Sequence, residues 1–201
     1  MTRFVLATAN PAKAREIKEV IQTEYEDIEV IPLDPSWPEV IEDGATLEAN
    51  ALLKADAATA RALIPALADD TGLEVSALQG APGVRSARYA SDEATDAQNI
   101  AFLLDQMRTV SAENRAARFT TVAIAKWPDG KTLLATGSVY GVIAEQPRGD
   151  AGFGYDPVFV PTEGDGRTFA EMSPVEKHKL SHRGRAFRSL AHKLVDLERS
   201  V

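Results

Sequence analysis

Residues 46–72, TLEANALLKADAATARALIPALADDTG, join a helical pattern to a buried-strand pattern. Residues 46–64 are rich in alanine and leucine, which favour helices, and Pro65 ends the pattern because proline cannot continue a helix. Ala66-Leu67-Ala68 then predicts a short buried strand that runs into an acidic turn, Asp69-Asp70-Thr71-Gly72. A helix followed by a buried strand is typical of α/β folds, so this stretch predicts that class.

Patterns on both sides of this stretch extend the α/β prediction. We expect strands at 4–8, 28–33, 119–127, 132–144 and 157–160, and helices at 12–22, 95–109 and 182–198. Residues 128–131, Pro-Asp-Gly-Lys, supply a turn between two alternating runs and so predict a long hairpin. Early alternation of helices and strands, with a hairpin in the middle, implies a mixed sheet flanked by helices within a single domain, residues 1–201.

Composition limits the classes of partner. The chain is 44% hydrophobic and 26% charged, which is typical of a soluble globular protein. The formal net charge of -8 argues against general binding to nucleic acid. No apolar stretch approaches the roughly 20 residues that cross a bilayer, so no membrane partner is expected. With no cysteine and no pattern of a secretory signal, we expect a cytoplasmic protein. The net charge leaves room for a small anionic substrate if a few Lys and Arg side chains converge locally.

The acidic turn is the first candidate for chemistry. Side chains alternate along a strand, so Asp69 and Asp70 should point to opposite sides. A carboxylate that faces bound phosphates is a hard oxygen ligand for magnesium, and it can also accept a proton from attacking water. We expect Thr71 and Gly72 to let the chain turn sharply beside a ligand. The structural alternative is a solvent-exposed turn of two aspartates.

The segment Thr8-Ala9-Asn10-Pro11-Ala12-Lys13 is a candidate phosphate site. It lies between a predicted strand and a predicted helix, where free backbone N–H groups and the helix dipole favour an anion. It is not a Walker P-loop, because the glycine spacing and the Lys-Ser/Thr pair are absent. The alternative is an ordinary connection with an exposed lysine.

Asn50 and Lys54 are four residues apart and so share one face of the predicted helix. We expect Asn50 to contact substrate, and Lys54 to meet a phosphate or to neutralise Asp69. Glu39, Glu42 and Asp43 lie just upstream, in a loop bounded by prolines. The alternative is a polar stripe on the protein surface.

Two later segments carry further candidates. In Gly149–Pro157, glycines allow a close approach of backbone to a ligand, Phe153 or Tyr155 could stack on a base, and Asp156 could accept a hydrogen bond. His182 and Arg183 follow Ser181, a plausible helix N-cap, where basic residues oppose the helix dipole unless a polar ligand compensates. The alternatives are a bulged loop with aromatic plugs and a surface His-Arg pair. His178 and His192 show no zinc-ligand spacing.

Together these segments resemble the inosine triphosphate pyrophosphatase family, the Ham1-type dITP/XTP pyrophosphatases. The matching stretches occur in family order: Leu6-Ala7-Thr8-Ala9-Asn10-Pro11-Ala12-Lys13, Ala68-Asp69-Asp70-Thr71-Gly72-Leu73, Gly80-Ala81-Pro82-Gly83-Val84-Arg85-Ser86-Ala87-Arg88-Tyr89, Gly152-Phe153-Gly154-Tyr155-Asp156-Pro157 and Ser181-His182-Arg183-Gly184. The resemblance implies a long mixed sheet and two lobes with an active-site cleft between them. It also implies a homodimer that uses magnesium to hydrolyse ITP, dITP and XTP to the monophosphate and pyrophosphate.

The resemblance also implies roles for residues. By the resemblance, seven residues bind the phosphates: Thr8, Ala9, Asn10, Pro11, Ala12, Lys13 and Lys177. Another seven surround the nucleoside: Thr71, Phe153, Gly154, Tyr155, Asp156, His182 and Arg183. Asp70 is implied as metal ligand and proton acceptor. Bacterial relatives often have two adjacent acidic residues where this chain has Ile41-Glu42, so the second metal carboxylate is Glu42 or Glu39.

We predict that water attacks the α-phosphorus and that Asp70 binds metal, activates water, or does both. Asp69 is predicted to pair with Lys54 and to support the site from the side of the strand opposite Asp70. Donors from His182 or Arg183 would favour a 6-oxo purine. Two alternatives stay open, namely a pyrophosphatase for another modified nucleotide and a nucleotide-binding regulator that performs no hydrolysis.

Overall fold

A computed structural model of the chain describes residues 2–199. Within them the chain divides into two compact units. Unit 1 comprises residues 2–70, 121–137 and 183–199, and unit 2 comprises residues 71–120 and 138–182. No helix among the described residues is long and apolar enough to cross a membrane.

The sheet is mixed, as predicted. Its strands are β1 Thr2–Leu6, β2 Ile28–Pro32, β3 Ala66–Val75, β4 Pro82–Gly83, β5 Ala116–Lys126, β6 Thr132–Ile143 and β7 Phe159–Pro161. They lie in the order β2-β1-β3-β5-β6-β7, with β4 paired to β3. β1 is parallel to β2 and β3, whereas the pairs β3–β4 and β6–β7 are antiparallel. The helices are α1 Pro11–Glu24, α2 Leu47–Ala62, α3 Asp96–Gln106, α4 Pro174–Leu180 and α5 His182–Arg199.

Unit 1 has a helix layer on each side of its strands. Alternation along β1 sends Phe4 and Leu6 into a core with α1 and α5, and Val5 into a core with α2. The α2 side of the second core is mostly alanine: Ala51, Ala55 and Ala58. These small side chains let α2 pack close to the strands. Consequently, polar side chains on the same face of α2 lie near the strand residues opposite them.

The predicted acidic turn is wrong, because β3 continues through it to Val75. Asp69 and Asp70 lie in mid-strand, and Gly72 continues the strand without a sharp turn. Aspartate and glycine are depleted in strands, which is why the pattern suggested a turn. Pairing of β3 with β4 at Leu73–Gly83 and cationic partners for both carboxylates stabilise the strand instead.

Unit 2 has a separate apolar core. Ile100, Leu103 and Met107 of α3 pack there with aromatic side chains that include Phe119, Phe159 and Phe169. Arg115 lies beside this core, and sequence analysis did not find it. Its buried guanidinium donates to the carbonyls of Met107, Val110, Ile143 and Ala144. Arg115 therefore joins the end of α3 to the end of β6.

Polar side chains cap the starts of α2 and α4. Thr46 caps α2 by accepting from the backbone N–H of Ala49 at 3.1 Å. Ser173 and Glu176 form a capping box at the start of α4, with Pro174 at the first helical position. Observed boundaries differ from the predicted ones by one to three residues at several ends, where local pattern is weakest.

Candidate active site

The two central aspartates point to opposite faces of β3, as predicted. Asp69 lies on the face that carries Leu67 toward α1 and α5, and Asp70 lies on the face that carries Ala68 toward α2. Arg183 Nε donates to Asp69 Oδ2 at 3.3 Å. Each carboxylate therefore has its own set of partners, and both sets lie within unit 1.

Lys54 forms its ion pair with Asp70 and not the predicted one with Asp69, although its charge also lowers the pKa of Asp69. Lys54 Nζ lies 3.3 Å from Asp70 Oδ1 and 3.2 Å from Glu42 Oε1. The reason is the position of α2, which packs on the face of β3 that Asp70 occupies. Burial lowers the pKa of Lys54, but the carboxylates of Asp70, Asp69 and Glu42 outweigh burial and raise it overall. Lys54 therefore stays charged.

Asp70 is a buried carboxyl whose pKa is raised. Burial is the main cause, and the negative charges of Glu42 and Asp69 add to it against the opposing effect of Lys54. Asn50 Nδ2 also donates to Asp70 Oδ2, at 3.3 Å. A carboxyl in this environment gains more from a proton or an added cation than an exposed one does.

Asn50 was predicted to contact substrate, but its side chain contacts other groups of the protein. Its side chain is fully buried. While Nδ2 donates to Asp70, Oδ1 accepts from the backbone N–H of Gly44 at 2.8 Å. Both polar atoms of the amide are thus engaged inside unit 1.

Asp69 is held in the ionised form. Burial alone would raise its pKa, but Lys13, Arg183 and Lys54 outweigh burial and hold the pKa of Asp69 well below its usual value. Arg183 is itself buried, and its Nη1 donates to Glu16 Oε2 at 2.6 Å. The structure thus places Arg183, a predicted nucleoside contact, in ion pairs with two carboxylates. Sequence analysis missed Glu16, although it lies on one helical face with Lys13, three residues earlier.

The turn before α1 has fewer free backbone donors than expected. Asn10 Oδ1 accepts from the N–H groups of Ala12 at 2.9 Å and Lys13 at 3.1 Å. Thr8 Oγ1 accepts from the N–H of Asn10 at 3.2 Å, and Pro11 has no N–H. The expectation of free N–H groups is therefore wrong at Asn10, Ala12 and Lys13, because Asn10 acts as the helix N-cap.

Lys13 is half-buried rather than an exposed, mobile charge. Burial is the main reason that its pKa is lowered, and the positive charges of Arg183 and Lys54 add to it against Asp69 and Asp70. A lysine in this environment gains from an added anion, since the anion would favour its charged form.

Glu42 and Glu39 differ in position. Glu42 shares Lys54 with Asp70, whereas Glu39 is exposed. Within residues 2–199, no three His, Asp or Glu side chains converge as metal ligands. Of the two candidate second metal ligands, Glu42 is therefore the one that lies close to Asp70, since both contact Lys54.

A second polar cluster lies within unit 2. Lys177 is buried, and its Nζ donates to Asp156 Oδ2 at 2.6 Å and lies 4.8 Å from the centre of the Phe153 ring. Asp156 Oδ2 also accepts from the backbone N–H of Phe153, at 2.9 Å. The resemblance implied that Lys177 holds phosphates. The structure places it with two residues that were expected to bind the nucleoside.

Other predicted nucleoside residues are mostly packed in unit 2. His182 is buried and stacks on Phe119, with ring centres 4.4 Å apart. Tyr155 donates its hydroxyl to the carbonyl of Ser86 at 2.9 Å, and burial raises the pKa of this phenol. Tyr155 is therefore a core residue. Phe153, which is half-buried, is the better placed of the two aromatic candidates to stack on a base. Thr71 follows Asp70 in β3 and is half-buried.

Sequence analysis also missed Asp96, which accepts from the backbone N–H of Gly154 at 2.6 Å. No local pattern marked it, because Asp96 begins α3 and is 58 residues from its partner. This bond joins α3 to the loop that carries Phe153 and Asp156.

The mixed sheet and the two clusters, one around Asp69 and Asp70 and the other around Asp156 and Lys177, define an α/β protein with buried carboxylates paired to lysine and arginine. The model of the Ham1 family matches residues 4–193, and the chain belongs to that family. The dITP/XTP pyrophosphatase of Thermus thermophilus is 48% identical over 189 residues, covering 94% of this chain and 89% of the relative. That of Symbiobacterium thermophilum is 47% identical over 184 residues, covering 92% and 90%.

Solved structures agree with this assignment. The HAM1 protein from Coxiella burnetii has a TM-score of 0.87 and 39% identity, covering 98% of this chain and all of that one. The Ham1 protein of Staphylococcus aureus has a TM-score of 0.84 and 36% identity, covering 97% and 99%. The α/β fold with its mixed sheet is thus that of the family.

Proposed function

We propose that this chain is a nucleoside-triphosphate pyrophosphatase that hydrolyses ITP, dITP and XTP to the monophosphate and pyrophosphate. The names of relatives that match nearly the whole chain support this activity. The structural observation that carries it is Asp70, a buried carboxyl of raised pKa in contact with Lys54. Few structural roles require such a group, and perturbed carboxyls are typical of catalytic sites.

Glu42 and Asp70 fit a magnesium ion. Both are carboxylates, and both already contact a single cation, Lys54. Magnesium commonly binds one or two protein carboxylates and takes its other ligands from water and substrate phosphates. When bound, it would neutralise part of the triphosphate charge. We therefore propose Glu42, rather than Glu39, as the second metal ligand.

The protein's own groups supply the remaining chemistry. A water oxygen attacks the α-phosphorus, the bond from that phosphorus to the bridging oxygen breaks, and pyrophosphate leaves. Asp70 is the carboxylate that accepts the proton of the attacking water. Lys13 binds phosphate oxygens, since a phosphate would favour its charged form. The negative charge of Asp69 attracts Lys13, and the ion pair of Asp69 with Arg183 holds Asp69 in position on β3.

For the nucleoside we propose a separate group of residues. Phe153 stacks on the purine, and Asp156 and Lys177 hold the Phe153 ring in place. His182 donates a hydrogen bond to the 6-oxo group of the purine. A 6-amino group would leave that donor unpaired, which disfavours ATP. We further propose a cytoplasmic homodimer, as the resemblance implies; light scattering on the purified chain tests the dimer.

A substrate panel with magnesium tests the activity. We expect release of pyrophosphate from ITP, dITP and XTP and much less from ATP. Asp70→Asn should lower kcat by at least about a hundredfold, the usual effect of losing a general base. Asp105→Asn, at an exposed residue of α3, is the matched control and should keep the rate of wild type.

The two alternatives predict other results. Binding of ITP without turnover by wild type would favour a regulator, and turnover of a modified pyrimidine in preference to ITP would favour another pyrophosphatase. A rate near that of wild type for Asp70→Asn would remove Asp70 from the chemistry.

A further inference from the structure

Asn50 joins a loop to the central strand. Its Oδ1 accepts from the backbone N–H of Gly44 at 2.8 Å, and its Nδ2 donates to Asp70 Oδ2 at 3.3 Å. Because Gly44 offers only a donor here and Asp70 only acceptors, a single orientation of the amide satisfies both. The fully buried side chain thus links Gly44 of loop 33–46 to Asp70 of β3.

The loop that Asn50 binds also carries Glu42, two residues before Gly44. Lys54 lies one helical turn after Asn50 on the same face of α2, and its ammonium contacts both Glu42 and Asp70. The two carboxylates are therefore joined in two ways. Lys54 joins the side chains directly, and Asn50 joins the backbone beside Glu42 to Asp70.

Close packing at Gly44 makes this second connection specific. A Cβ at residue 44 would lie 2.6 Å from Asn50 Oδ1 and 2.8 Å from the Cβ of Ala49. The backbone of the loop thus approaches α2 more closely than any side chain at this residue allows. The hydrogen bond at 2.8 Å depends on that approach.

We propose that Asn50 is a positioning residue that sets the separation of the Glu42 and Asp70 carboxylates for a divalent cation. The inference rests on the proposed function, in which these two carboxylates bind magnesium. Lys54 has a long, flexible side chain that can follow either carboxylate, so it does not set their separation alone. Asn50 has a short side chain, and its amide bonds to the backbone of Gly44 and to Asp70 of β3. Groups that orient metal ligands typically change metal affinity by about 10–100-fold when they are removed.

The test uses Mn²⁺ as the probe and the full chain without nucleotide. Binding is followed by the relaxation of water protons in wild type, Asn50→Ala and Gly44→Ala. We expect both variants to bind Mn²⁺ at least about tenfold more weakly than wild type. Gly44→Ala keeps the asparagine at residue 50 but forces the loop away from it, so it still tests the connection if Asn50→Ala fails to fold.

Asn99→Ala is the matched control. Asn99 is a buried asparagine of unit 2 whose Oδ1 accepts from the N–H of Ala90 at 2.9 Å and whose Nδ2 donates to the carbonyl of Ala87 at 3.0 Å. Its removal costs a comparable pair of hydrogen bonds but touches neither carboxylate. It should therefore lower the free energy of unfolding without changing the affinity for Mn²⁺.

Two results would overturn the proposal. One is wild-type affinity for Mn²⁺ in folded Asn50→Ala or Gly44→Ala, and the other is an equal loss of affinity in Asn99→Ala. If wild type hydrolyses ITP while either result holds, the positioning role alone is refuted. If wild type neither binds Mn²⁺ nor hydrolyses ITP, the proposed function fails and this inference fails with it.

Discussion

Replacing Gly152 by alanine tests the polar cluster of unit 2. Gly152 has φ +79°, in the left-handed region, and a Cβ there would lie 2.0 Å from Asp156 Oδ2. That oxygen already accepts from Lys177 Nζ and from the N–H of Phe153. An alanine must therefore displace a carboxylate that two donors hold in place.

The expected loss has two parts. Left-handed backbone costs an alanine about 1–2 kcal/mol. Displacing Asp156 weakens its bond to Lys177, and a hydrogen bond to a charged group contributes about 1.5–3 kcal/mol. We therefore expect Gly152→Ala to lower the free energy of unfolding by roughly 2.5–5 kcal/mol.

Gly154→Ala is the matched control in the same loop. Gly154 also has a positive φ, +60°, but a Cβ there meets no heavy atom within 4 Å. This variant should lose only the backbone part, about 1–2 kcal/mol. Urea unfolding followed by circular dichroism measures both variants, and the KM for ITP should rise more for Gly152→Ala. Equal losses of stability for the two variants would refute the reasoning, since only the contact with Asp156 distinguishes them.

Three further predictions follow from buried charges. Arg115→Ala leaves carbonyls of α3 and β6 without their donor, so thermal or urea unfolding should show a loss of about 3 kcal/mol or more, with the KM for ITP near that of wild type. The depressed pKa of Asp69 stabilises the fold above its unfolded-state pKa of about 4, and this stabilisation is lost as pH falls further toward the folded-state pKa, so the difference in unfolding free energy between wild type and Asp69→Asn should shrink progressively below about pH 4; a constant difference there would contradict the ion pairs of Asp69. Lys177→Met should raise the KM for ITP about tenfold or more through loss of charge-assisted bonding to Asp156, whereas Lys179→Met, at an exposed residue of α4, should not.

Several features of the fold could be predicted because they depend on local geometry. The alternation of Phe4 and Val5 assigns their side chains to opposite faces of β1, whatever lies on those faces. The spacing of Asn50 and Lys54 places both on one side of α2, and both contact Asp70. The capping box of Ser173 likewise acts within four residues.

The candidate site was less predictable where partners come from distant segments. Lys54 was expected beside Asp69, but the face of β3 on which α2 packs gives it Asp70 instead. Arg183 lies 167 residues from Glu16 in sequence, and no local pattern connects them.

By itself, the sequence determined the α/β class and the opposite orientations of Asp69 and Asp70, because helix and strand periods follow from backbone geometry alone. It also carried the family resemblance, through motifs that occur in family order. Only the tertiary structure decided that β3 continues through both aspartates. It likewise decided that the Asn10 side chain accepts hydrogen bonds from N–H groups that were expected to bind phosphate. It also decided that Lys177 belongs with Asp156. The physical reason is that a buried charge takes whichever partner the packing of helices and strands brings within a few ångströms, and that choice is not encoded in residue spacing.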